Sequence, residues 1–516
     1  MNYLEIIMGC LCNTTGIHND VLRSKHLKLD TVVTPVTKEQ DIVISPASFV
    51  RQNKAEFFSI YELEKFPIGS GARGQVCICI HRQSKDRRVV KIISKALIPG
   101  ALTDSTILIE EVNILKSLDH PNLIRIYEFF EDPNCFYIVL EYSKGGDLFD
   151  RIVEMKNFNE SQAAEIMSQI FSGVNYLHSK GVVHRDIKPE NVLLENKESL
   201  LLKIIDFDTA SFFKKWFYDE MLGTPVYMAP EMVKGKYNEK CDLWSCGIIM
   251  HILLVGGLPF DGTDEEIFKF LKNVNIKIEG PLWDSISDQA KDLIRKLLTP
   301  NPLKRISAAE ACKHPWIAQY SKNASKEDIS RVLTGIRKYR RTSKLKEAIH
   351  TFIVSKIINP IEIETEKVVF NSIDTNKDGT ISREELTEVL ISETVPHEEA
   401  QMYADFIIGE VDSDLNGCID YSEFLRACVK KRMVFTKENL LKAFNLFDKD
   451  GNGTIEIEEI KEYLEAGFEI TQELLIKIMA EADRNGDGKI DIDEFEDLLL
   501  DCISRPESKD DFSSLF

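Results

Sequence analysis

Apolar residues recur with two different spacings along the chain. Short apolar runs of strand length occur at residues 60–63, 76–81, 89–93 and 136–141. Two other stretches, residues 103–118 and 160–179, show the wider spacing of amphipathic helices. The pattern therefore predicts a first region that is rich in strands and a following region that is mainly helical.

The first 56 residues are mainly polar and show no periodicity, so we expect a mostly disordered N-terminal extension. Within it, the stretch Met8-Gly9-Cys10-Leu11-Cys12 allows two interpretations. If translation begins at Met8, Gly9 is available for myristoylation and both cysteines for palmitoylation, which together would anchor the protein to a membrane. The alternative is a disordered tail that contains two incidental cysteines.

Composition narrows the functional classes. The 516 residues suggest about three domains, and the net charge of −20 argues against nucleic acid as a partner, because phosphates require a basic surface. The acidic excess is concentrated after Glu362, which indicates a cation-binding region. Eleven cysteines without framework spacing indicate reduced thiols, so we expect a cytoplasmic protein. No apolar run reaches the roughly 18–20 residues that would cross a bilayer.

The stretch VHRDIKPEN, residues 183–191, places three chemically different side chains within six residues. Asp186 can accept the proton of a reacting hydroxyl, and Lys188 can hold a phosphoryl group during its transfer. Asn191 can ligate a metal ion. The spacing therefore indicates a site for phosphoryl transfer.

A glycine-rich segment and a single lysine precede this stretch. The sequence GSGARGQV from residue 69 lies between two predicted strands, where glycine lets backbone amides approach phosphates without an intervening Cβ. Lys91 lies in an apolar strand, where its charge is unfavourable unless it is paired. Glu110 and Glu111 in the following helical stretch are both candidate partners.

Four twelve-residue stretches near the C-terminus repeat one order of oxygen-bearing side chains. Positions 1, 3 and 5 carry such side chains, position 6 is Gly and position 12 is Glu, which is what a calcium ion with about seven oxygen ligands requires. Position 7 contributes a backbone carbonyl, and position 8 is Ile in all four loops, which predicts pairing through a short ladder. The predicted ligand residues are Asp374, Asn376, Asp378, Thr380 and Glu385; Asp412, Asp414, Asn416, Cys418 and Glu423; Asp448, Asp450, Asn452, Thr454 and Glu459; Asp483, Asn485, Asp487, Lys489 and Glu494.

A phosphoryl-transfer stretch followed by four calcium loops resembles the calcium-dependent protein kinases of plants and protists. The resemblance implies an α+β fold, in which a bilobal protein kinase precedes an all-α, calmodulin-like domain of two EF-hand pairs. It implies an activity that transfers the γ-phosphate of ATP to protein Ser or Thr, with Mg²⁺ bound alongside ATP and Ca²⁺ at four sites. The implied divisions are an extension at 1–56, a kinase domain at 57–317, an autoinhibitory junction at 318–365, EF-hand pairs at 366–430 and 431–505, and a tail at 506–516.

The resemblance also implies roles for individual residues. Lys91 and Glu111 would orient the ATP phosphates, while Asn191 and Asp206 would hold magnesium. Asp186 would orient the substrate hydroxyl and accept its proton, and Lys188 would steady the γ-phosphate. The other implied ATP-binding residues are Ile68, Gly69, Ser70, Gly71, Ala72, Gly74, Val76, Val89, Leu140, Glu141, Ser143, Asp147 and Leu193.

Two further groups of residues follow from the same resemblance. Asp147 and Glu190 would form a small acidic surface near the peptide site, which predicts a preference for a basic residue upstream of the phosphorylated one. We expect Thr224 to bond Asp186 or Lys188. We also expect Glu231 and Arg305 to form a buried ion pair.

Residues 337–341, RKYRR, precede a stretch whose apolar residues fall on one helical face. That face comprises Leu345, Ala348, Ile349, Phe352, Ile353 and Ile357. A basic amphipathic helix is typical of calmodulin targets, so we expect a helix that inhibits the kinase and binds the EF-hands when calcium is present. The alternative is a helix that only caps the kinase or packs on the next domain. The position between a kinase and a calcium domain favours the regulatory interpretation.

One residue departs from the family pattern. Asp208 follows Asp206 and Phe207 where the family usually has Gly, which predicts less freedom for Phe207 to move out and an extra negative charge near the metal. Asp208 is the residue that favours an alternative function, a calcium-sensing pseudokinase scaffold. A second alternative is a calcium buffer with a vestigial kinase. Lys91, Asp186 and Asp206, which pseudokinases typically lose, are all present, and this favours an active enzyme.

Overall fold

A computed structural model describes residues 50–504 except 51, 54, 72–73, 98–104, 156–157, 213–215, 219–220, 321–323, 341, 359, 394 and 465–471. The expected disorder before residue 50, the acylation of Gly9 and the tail after residue 505 concern residues outside this description. Among the described residues, no helix combines the length and the apolar character needed to cross a membrane.

The first lobe is built on a six-stranded sheet in the order β1-β5-β6-β4-β3-β2. Its strands are β1 (Gln52–Asn53), β2 (Tyr61–Gly71), β3 (Gly74–His81), β4 (Arg87–Ser94), β5 (Ile126–Glu131) and β6 (Cys135–Leu140), and its helices are α1 (Phe57–Ile60) and α2 (Ser105–Ser117). The predicted apolar runs form strands that pair with one another, and β4 sets Lys91 opposite Ile138 of β6. Burial largely alternates along β4, because one face of the sheet covers the core.

Strand β1 corrects the predicted start of the folded region, which the sequence pattern placed near Phe57. Gln52 and Asn53 pair in parallel with β5, and the Asn53 side chain donates a hydrogen bond to Glu128 at 2.9 Å. Val50, just before the strand, is buried in the core. A strand of two residues is too short to produce a periodic pattern, so sequence analysis could not detect it.

The second lobe is mainly helical and supplies most of the largest core. It contains α3 (Leu148–Met155), α4 (Glu160–Ser179), α5 (Pro230–Val233), α6 (Cys241–Val255), α7 (Asp264–Lys272), α8 (Asp288–Leu297), α9 (Ala308–Cys312) and α10 (Pro315–Tyr320), with short strands β7 (Val182–Val183), β8 (Val192–Leu194), β9 (Leu202–Ile204), β10 (Ser211–Phe212), β11 (Phe217–Tyr218) and β12 (Lys236–Tyr237). Helix α4 begins at a capping box, in which Asn159 accepts a hydrogen bond from the Gln162 amide. The predicted pair of Glu231 and Arg305 is present and buried, with contacts of 2.5 and 2.8 Å.

The C-terminal part is helical and has a core of its own. The junction contributes α11 (Lys326–Lys338) and α12 (Lys344–Phe352), and a π-helical turn, Ile353–Ile357, follows. The EF-hand region, residues 364–504, contains α13 (Glu364–Ile373), β13 (Thr380–Ile381), α14 (Arg383–Ser392), α15 (His397–Val411), β14 (Ile419–Asp420), α16 (Tyr421–Cys428), α17 (Lys431–Val434), α18 (Lys437–Phe447), α19 (Ile457–Leu464), α20 (Gln472–Ala482) and α21 (Ile492–Ser504).

The loop ladders predicted from the isoleucines are present. Ile381 pairs with Ile419 in the first EF-hand pair, and Ile455 pairs with Ile490 in the second. This arrangement of a strand-rich lobe, a helical lobe and a helical EF-hand region confirms the predicted fold class.

Candidate functional site

The carboxylate of Asp186 lies at the centre of a hydrogen-bond network in the loop between β7 and β8. Its Oδ2 accepts hydrogen bonds from Lys188 Nζ at 2.7 Å and from the Asn191 side-chain amide at 3.1 Å. Its Oδ1 accepts from the backbone N–H and the hydroxyl of Thr224, both at 3.0 Å. Lys188 also donates to the Thr224 hydroxyl at 2.9 Å, so Thr224 makes both of the contacts that the sequence left as alternatives.

Asp242, at the start of α6, holds this loop in place, and sequence analysis missed that role. Its carboxylate accepts hydrogen bonds from the backbone N–H groups of His184 and Arg185 at 3.0 and 2.8 Å. Burial by itself would raise the pKa of Asp242, but hydrogen bonds from His178 and His184 lower it overall. Arg185 adopts a left-handed φ of 70°, which this anchoring can maintain. The sequence feature that could have indicated this role is the position of Asp242, a carboxylate directly before the apolar run of α6.

Lys91, on β4, lies among several carboxylates. Its Nζ is 2.9 Å from Glu111 on α2 and 3.3 Å from Asp206. Glu110, the other candidate partner, instead accepts a hydrogen bond from the Ser211 hydroxyl at 2.9 Å. The structure therefore confirms the predicted pairing of Lys91 with Glu111. A lysine held in this way can present its ammonium group to phosphate oxygens.

The segment Asp206-Phe207-Asp208 follows β9 and is fixed by its central residue. Phe207 is buried, and its ring packs edge-on against His184 with a centroid distance of 5.0 Å. Asp206 adopts a left-handed φ of 66°. The carboxylate of Asp208 contacts Lys91, so the residue that departs from the family pattern places its negative charge beside this lysine.

Asn191 and Asp206 provide a donor set that fits magnesium. Asn191 donates through its amide nitrogen to the Asp186 carbonyl at 2.8 Å, which leaves its side-chain oxygen to ligate a cation. The Asp206 side chain is partly exposed, and its carboxylate supplies the anionic ligand. Magnesium typically takes one or two protein carboxylates and completes its shell with water and substrate phosphates.

The residues expected to contact the base and the ribose lie on several elements around this site. Leu140 ends β6 opposite Val89 of β4. The Glu141 N–H donates to the Arg125 carbonyl at 3.0 Å, so of its backbone groups only the carbonyl is left for a base. Ser143 is partly buried in the segment that follows. The remaining sequence-predicted residues are placed as follows: Ile68 and Gly69 on β2, Gly74 and Val76 on β3, Leu193 on β8, Ser70 and Gly71 on β2 with only their backbone described, and Ala72 outside the described residues.

Of the two acidic residues expected at the peptide site, Glu190 lies within the stretch 183–191 and Asp147 lies against Leu193, which follows that stretch. Asp147, which forms a β-bridge with Leu193, accepts a hydrogen bond from the Asp150 amide at 2.8 Å and so caps α3. Glu190 is exposed. Burial raises the pKa of Tyr227, and the negative charges of Glu190 and Asp186 raise it further, so both carboxylates act on the same tyrosine.

The four calcium loops share one pattern of internal hydrogen bonds. In each, the first Asp accepts from the amide of the position-6 Gly, at 2.8 to 3.0 Å. The Glu at position 12 accepts from the amides of positions 2 and 9 in every loop. Carboxylates also converge within 4.8 Å in the second and third loops, at Asp412, Asp414 and Glu423 and at Asp448, Asp450 and Glu459. This convergence fits the oxygen-rich shell of calcium.

The first loop gives a further test of fit. Asp374 is fully buried, and its Oδ1 has no hydrogen-bond partner among the described residues. Burial raises the pKa of Asp374 to about 7, and burial likewise raises the pKa of Glu423 in the second loop to about 7. A buried carboxylate oxygen without a donor is unfavourable unless a cation reaches it, so this loop also fits calcium.

The first calcium loop lies against α4 of the second lobe, in the same compact unit. The side-chain amide of Asn175 donates to the carbonyls of Asn376 and Lys377, at 3.2 and 2.7 Å. A Cβ at Gly379 would overlap the ring of Tyr176, so only glycine fits at this contact. Other described polar contacts link the junction and the EF-hand region to the kinase lobes. They join the Ser422 amide to Asp119 at 2.9 Å, Lys367 to Glu195 at 2.7 Å, Lys356 to the Ile126 carbonyl at 2.5 Å and Lys442 to Asp86 at 3.2 Å.

The junction helix α12 packs within the EF-hand region. Four of the six residues of the predicted apolar face, Leu345, Ala348, Ile349 and Phe352, lie on α12 and are buried in the core that it shares with this region. The other two lie in the π-helical turn that follows, where Ile353 is buried and Ile357 is partly buried. Glu347 forms a fully buried ion pair with Arg426 of α16 at 3.3 Å, and Lys346 pairs with Glu481 of α20 at 3.2 Å. Both interpretations of this helix, regulatory target and packing element, predict these contacts.

Comparison with known proteins agrees with both parts of this site. The family described as Protein kinase domain matches residues 61–317, and the EF-hand domain pair matches residues 366–429 and 437–500. Calcium-dependent protein kinase 4 of Plasmodium berghei (strain Anka) is 38% identical over 442 residues, which cover 82% of this chain and 83% of that protein. Calcium-dependent protein kinase 5 of Plasmodium falciparum (isolate 3D7) is 36% identical over 422 residues, which cover 80% of this chain and 73% of that protein. With a phosphoryl-transfer loop and calcium loops on one polypeptide, the chain belongs to the calcium-dependent protein kinase family.

Proposed function

We propose that this protein is a calcium-activated kinase that transfers the γ-phosphate of ATP to Ser or Thr residues of proteins. The observation that carries the proposal is the closed network around Asp186 together with the intact pair of Lys91 and Glu111, since phosphoryl transfer by a protein kinase needs both. The loop reads KPEN after the catalytic Asp, which is the form that Ser/Thr kinases carry, and this supports an aliphatic hydroxyl as the acceptor.

Asp186, Lys188 and Thr224 have different roles in the transfer step. Asp186, oriented by Thr224 and Lys188, accepts the hydroxyl proton as the oxygen attacks phosphorus. The ammonium of Lys188, 2.7 Å from Asp186, is close enough to stabilise the charge on the γ-phosphate during transfer. Thr224 lies in the segment before α5, and by binding both Asp186 and Lys188 it holds that segment against the loop.

The nucleotide is held by residues of both lobes. Lys91, oriented by Glu111, binds the α- and β-phosphates. Asn191 and Asp206 would hold magnesium, which would supply positive charge to neutralise the phosphates of the nucleotide. Because these groups come from β4, the catalytic loop and the segment after β9, productive binding requires the two lobes to be correctly placed.

Calcium control is proposed to act through the four loops and α12. Without calcium the junction helix holds the kinase inactive, and calcium opens the EF-hand pairs so that they hold the helix instead. Calcium can drive this change only if the loops bind it more tightly in one state than in the other. The hydrogen bonds between Asn175 of the kinase and the first calcium loop support a direct physical link between ion binding and the kinase.

The test is a phosphotransfer assay of the purified chain across free calcium, with Asp186→Ala as the inactive control. We expect transfer to Ser and Thr peptides, little transfer to Tyr peptides, and a steep increase with calcium. Deleting residues 330–516 should leave a kinase whose activity is retained or raised and is independent of calcium. A shortened kinase that still required calcium, or equal activity of the full chain in chelator and in calcium, would contradict the proposed control.

Substrate choice is proposed to depend on the acidic residues Glu190 and Asp147, which favour a basic residue upstream of the target. The exposure of Glu190 beside the catalytic loop supports this role. Glu190→Gln should reduce the preference for Arg in a peptide array, because the charge is lost while the shape is kept. An unchanged peptide profile would count against it.

A calcium-sensing pseudokinase scaffold is the second candidate, and the contact of Asp208 with Lys91 is the observation that favours it. It predicts that calcium changes apolar exposure while no phosphate is transferred, so the same assay separates the two functions. A calcium buffer would bind calcium without exposing apolar surface.

The location is also a proposal. The cysteines that the structure describes are all free thiols, which supports a reducing, cytoplasmic environment. Membrane association is expected only for a chain acylated at Gly9. Fractionation of cells that express the chain, with and without Gly9→Ala, tests this expectation.

A further inference from the structure

Three carboxylates surround the ammonium group of Lys91. Glu111 lies 2.9 Å and Asp206 lies 3.3 Å from Nζ, and the carboxylate of Asp208 is also in contact. The Lys91 side chain is only 14% exposed, so solvent screens this cluster weakly. Glu111 and Asp206 are expected in a protein kinase, whereas Asp208 replaces the usual glycine.

We propose that Asp208 is a positioning residue that competes with the ATP phosphates for Lys91 and thereby makes nucleotide binding depend more strongly on magnesium. This inference rests on the ATP-dependent transfer proposed above. It concerns nucleotide binding alone and is independent of the proposed calcium control.

The charges explain the competition. Three carboxylates face one ammonium group, so two negative charges in the cluster have no partner within it. A polyphosphate that approaches Lys91 must displace Asp208 or lie beside its charge, and both are unfavourable without a cation. Magnesium bound to the phosphates reduces their charge, so it removes most of the penalty. A kinase with glycine at this position has no such carboxylate.

The side chain of Asp208, and not its backbone, distinguishes this site. Asp206 has a left-handed φ, whereas the φ of Asp208 is not positive. The backbone conformation at Asp208 therefore does not require glycine. The buried ring of Phe207 fixes the segment between the two acids. Replacing the carboxylate by an amide of the same shape therefore tests the charge without loosening the backbone.

The experiment measures ADP binding to the full chain by titration calorimetry, because ADP binds without turnover. Calcium is kept low with EGTA, and each protein is titrated without magnesium and with saturating magnesium. The variants are Asp208→Asn and Asp208→Gly, with Asp288→Asn as the matched control, since the Asp288 side chain is fully exposed on α8. Kinetics on a peptide substrate then give KM for ATP and kcat for each protein.

We expect both Asp208 variants to bind ADP about tenfold more tightly than the wild type without magnesium, and less than about threefold more tightly with it, because one repulsive charge has been removed. The variants should lower KM for ATP at limiting magnesium with little change in kcat, and the control should match the wild type. Equal binding by all the proteins would overturn the inference. Weaker binding by Asp208→Asn with magnesium would also overturn it, because Asp208 would then be a metal ligand.

Two further outcomes are informative. If Asp208→Gly binds more tightly but Asp208→Asn does not, backbone freedom is responsible and the inference fails. If activity proves independent of calcium, the proposed calcium control fails while the ADP comparison is unaffected, so the two failures can be told apart.

Discussion

The two EF-hand pairs carry the same twelve-residue pattern but lie in different surroundings. In the first pair, loop carbonyls accept hydrogen bonds from Asn175, and Gly379 lies against the ring of Tyr176. In the second pair, a Cβ added at Gly453 or Gly488 would meet nothing within 4 Å. A repeated motif therefore specifies the ligands of a calcium site but not its neighbours.

This difference has a thermodynamic consequence. If calcium in the first loop favours the contact with α4, then the contact must favour calcium binding by the same factor. In the second pair, Gly453 and Gly488 touch no part of the kinase, so these glycines do not couple calcium binding to it. We therefore expect the first loop to report the state of the kinase most directly, because the described ion pair of the second EF-hand pair with the first lobe, between Lys442 and Asp86, lies outside the calcium loops.

The largest expected effect comes from the ion pair that joins the first EF-hand pair to the junction helix. Arg426→Ala should lower the free energy of unfolding of the EF-hand region by about 3–5 kcal/mol, because Glu347 would remain buried and charged. Urea denaturation followed by circular dichroism measures the loss. The matched control is Arg484→Ala in the second pair, whose partner Asp497 is half exposed; it should cost less than about 1 kcal/mol. Equal losses would show that burial does not distinguish the two ion pairs.

The next effect compares two glycines at equivalent loop positions. Gly379 and Gly417 have φ values of 82° and 86°, so alanine at either site costs about 1–2 kcal/mol in backbone strain. Only Gly379→Ala also displaces the Tyr176 ring, which adds about 1–3 kcal/mol. Hydrogen exchange in the presence of calcium should be faster at the Tyr176 end of α4 in Gly379→Ala and unchanged in Gly417→Ala. Equal exchange rates at the Tyr176 end of α4 in the two variants would contradict the contact between Gly379 and Tyr176.

A smaller effect is expected from the kinase side of this contact. Asn175→Ala removes two hydrogen bonds to the first loop and should cost about 1–2 kcal/mol of docking. The calcium concentration for half-maximal activity should rise by up to about tenfold, which a kinase assay in calcium buffers measures. Ser161→Ala, at an exposed position of the same helix, is the control. A variant with the wild-type calcium midpoint would place the coupling elsewhere.

The smallest effect is a dependence on pH. Burial raises the pKa of Asp374 and Glu423 to about 7, so the calcium-free fold favours their protonated forms and loses stability as pH rises from about 4 through 7. Calcium binds only the deprotonated carboxylates, so its affinity for the first pair should fall as pH drops from 8 to 6. For each proton that binding releases, the affinity should change by less than about tenfold per pH unit. Calorimetry in buffers of different ionisation enthalpy should detect proton release at pH 7. Binding without proton release would contradict the shifted pKa values.

Much of the catalytic site could be predicted because its residues are close in sequence or belong to a fixed pattern. Asp186, Lys188 and Asn191 lie within one loop, so their spacing alone brings them together. The pairing of Lys91 with Glu111 rather than Glu110 followed from the family resemblance, and the structure agrees. The isoleucine ladders were predictable for the same reason, because position 8 is fixed by the geometry of the loop.

The missed features depend on surfaces that meet only after folding. Asn175 and Lys377 are separated by 202 residues, and neither has a periodic pattern that marks a contact. Asp242 lies near the start of the apolar run of α6, and nothing in that run indicates that its carboxylate binds the backbone of the loop around Asp186. The approach of Asp208 to Lys91 could be expected only as extra charge near the metal, because the direction of a side chain is not encoded in spacing.

The two-residue strand β1 has a practical consequence for any shortened form of this enzyme. It occupies one edge of the first-lobe sheet, beside β5. A chain that began at Phe57 would leave the backbone groups of β5 open to a strand from another molecule, and unprotected sheet edges of this kind promote aggregation. A recombinant kinase that resists aggregation should therefore begin before Val50, although the family match begins only at residue 61.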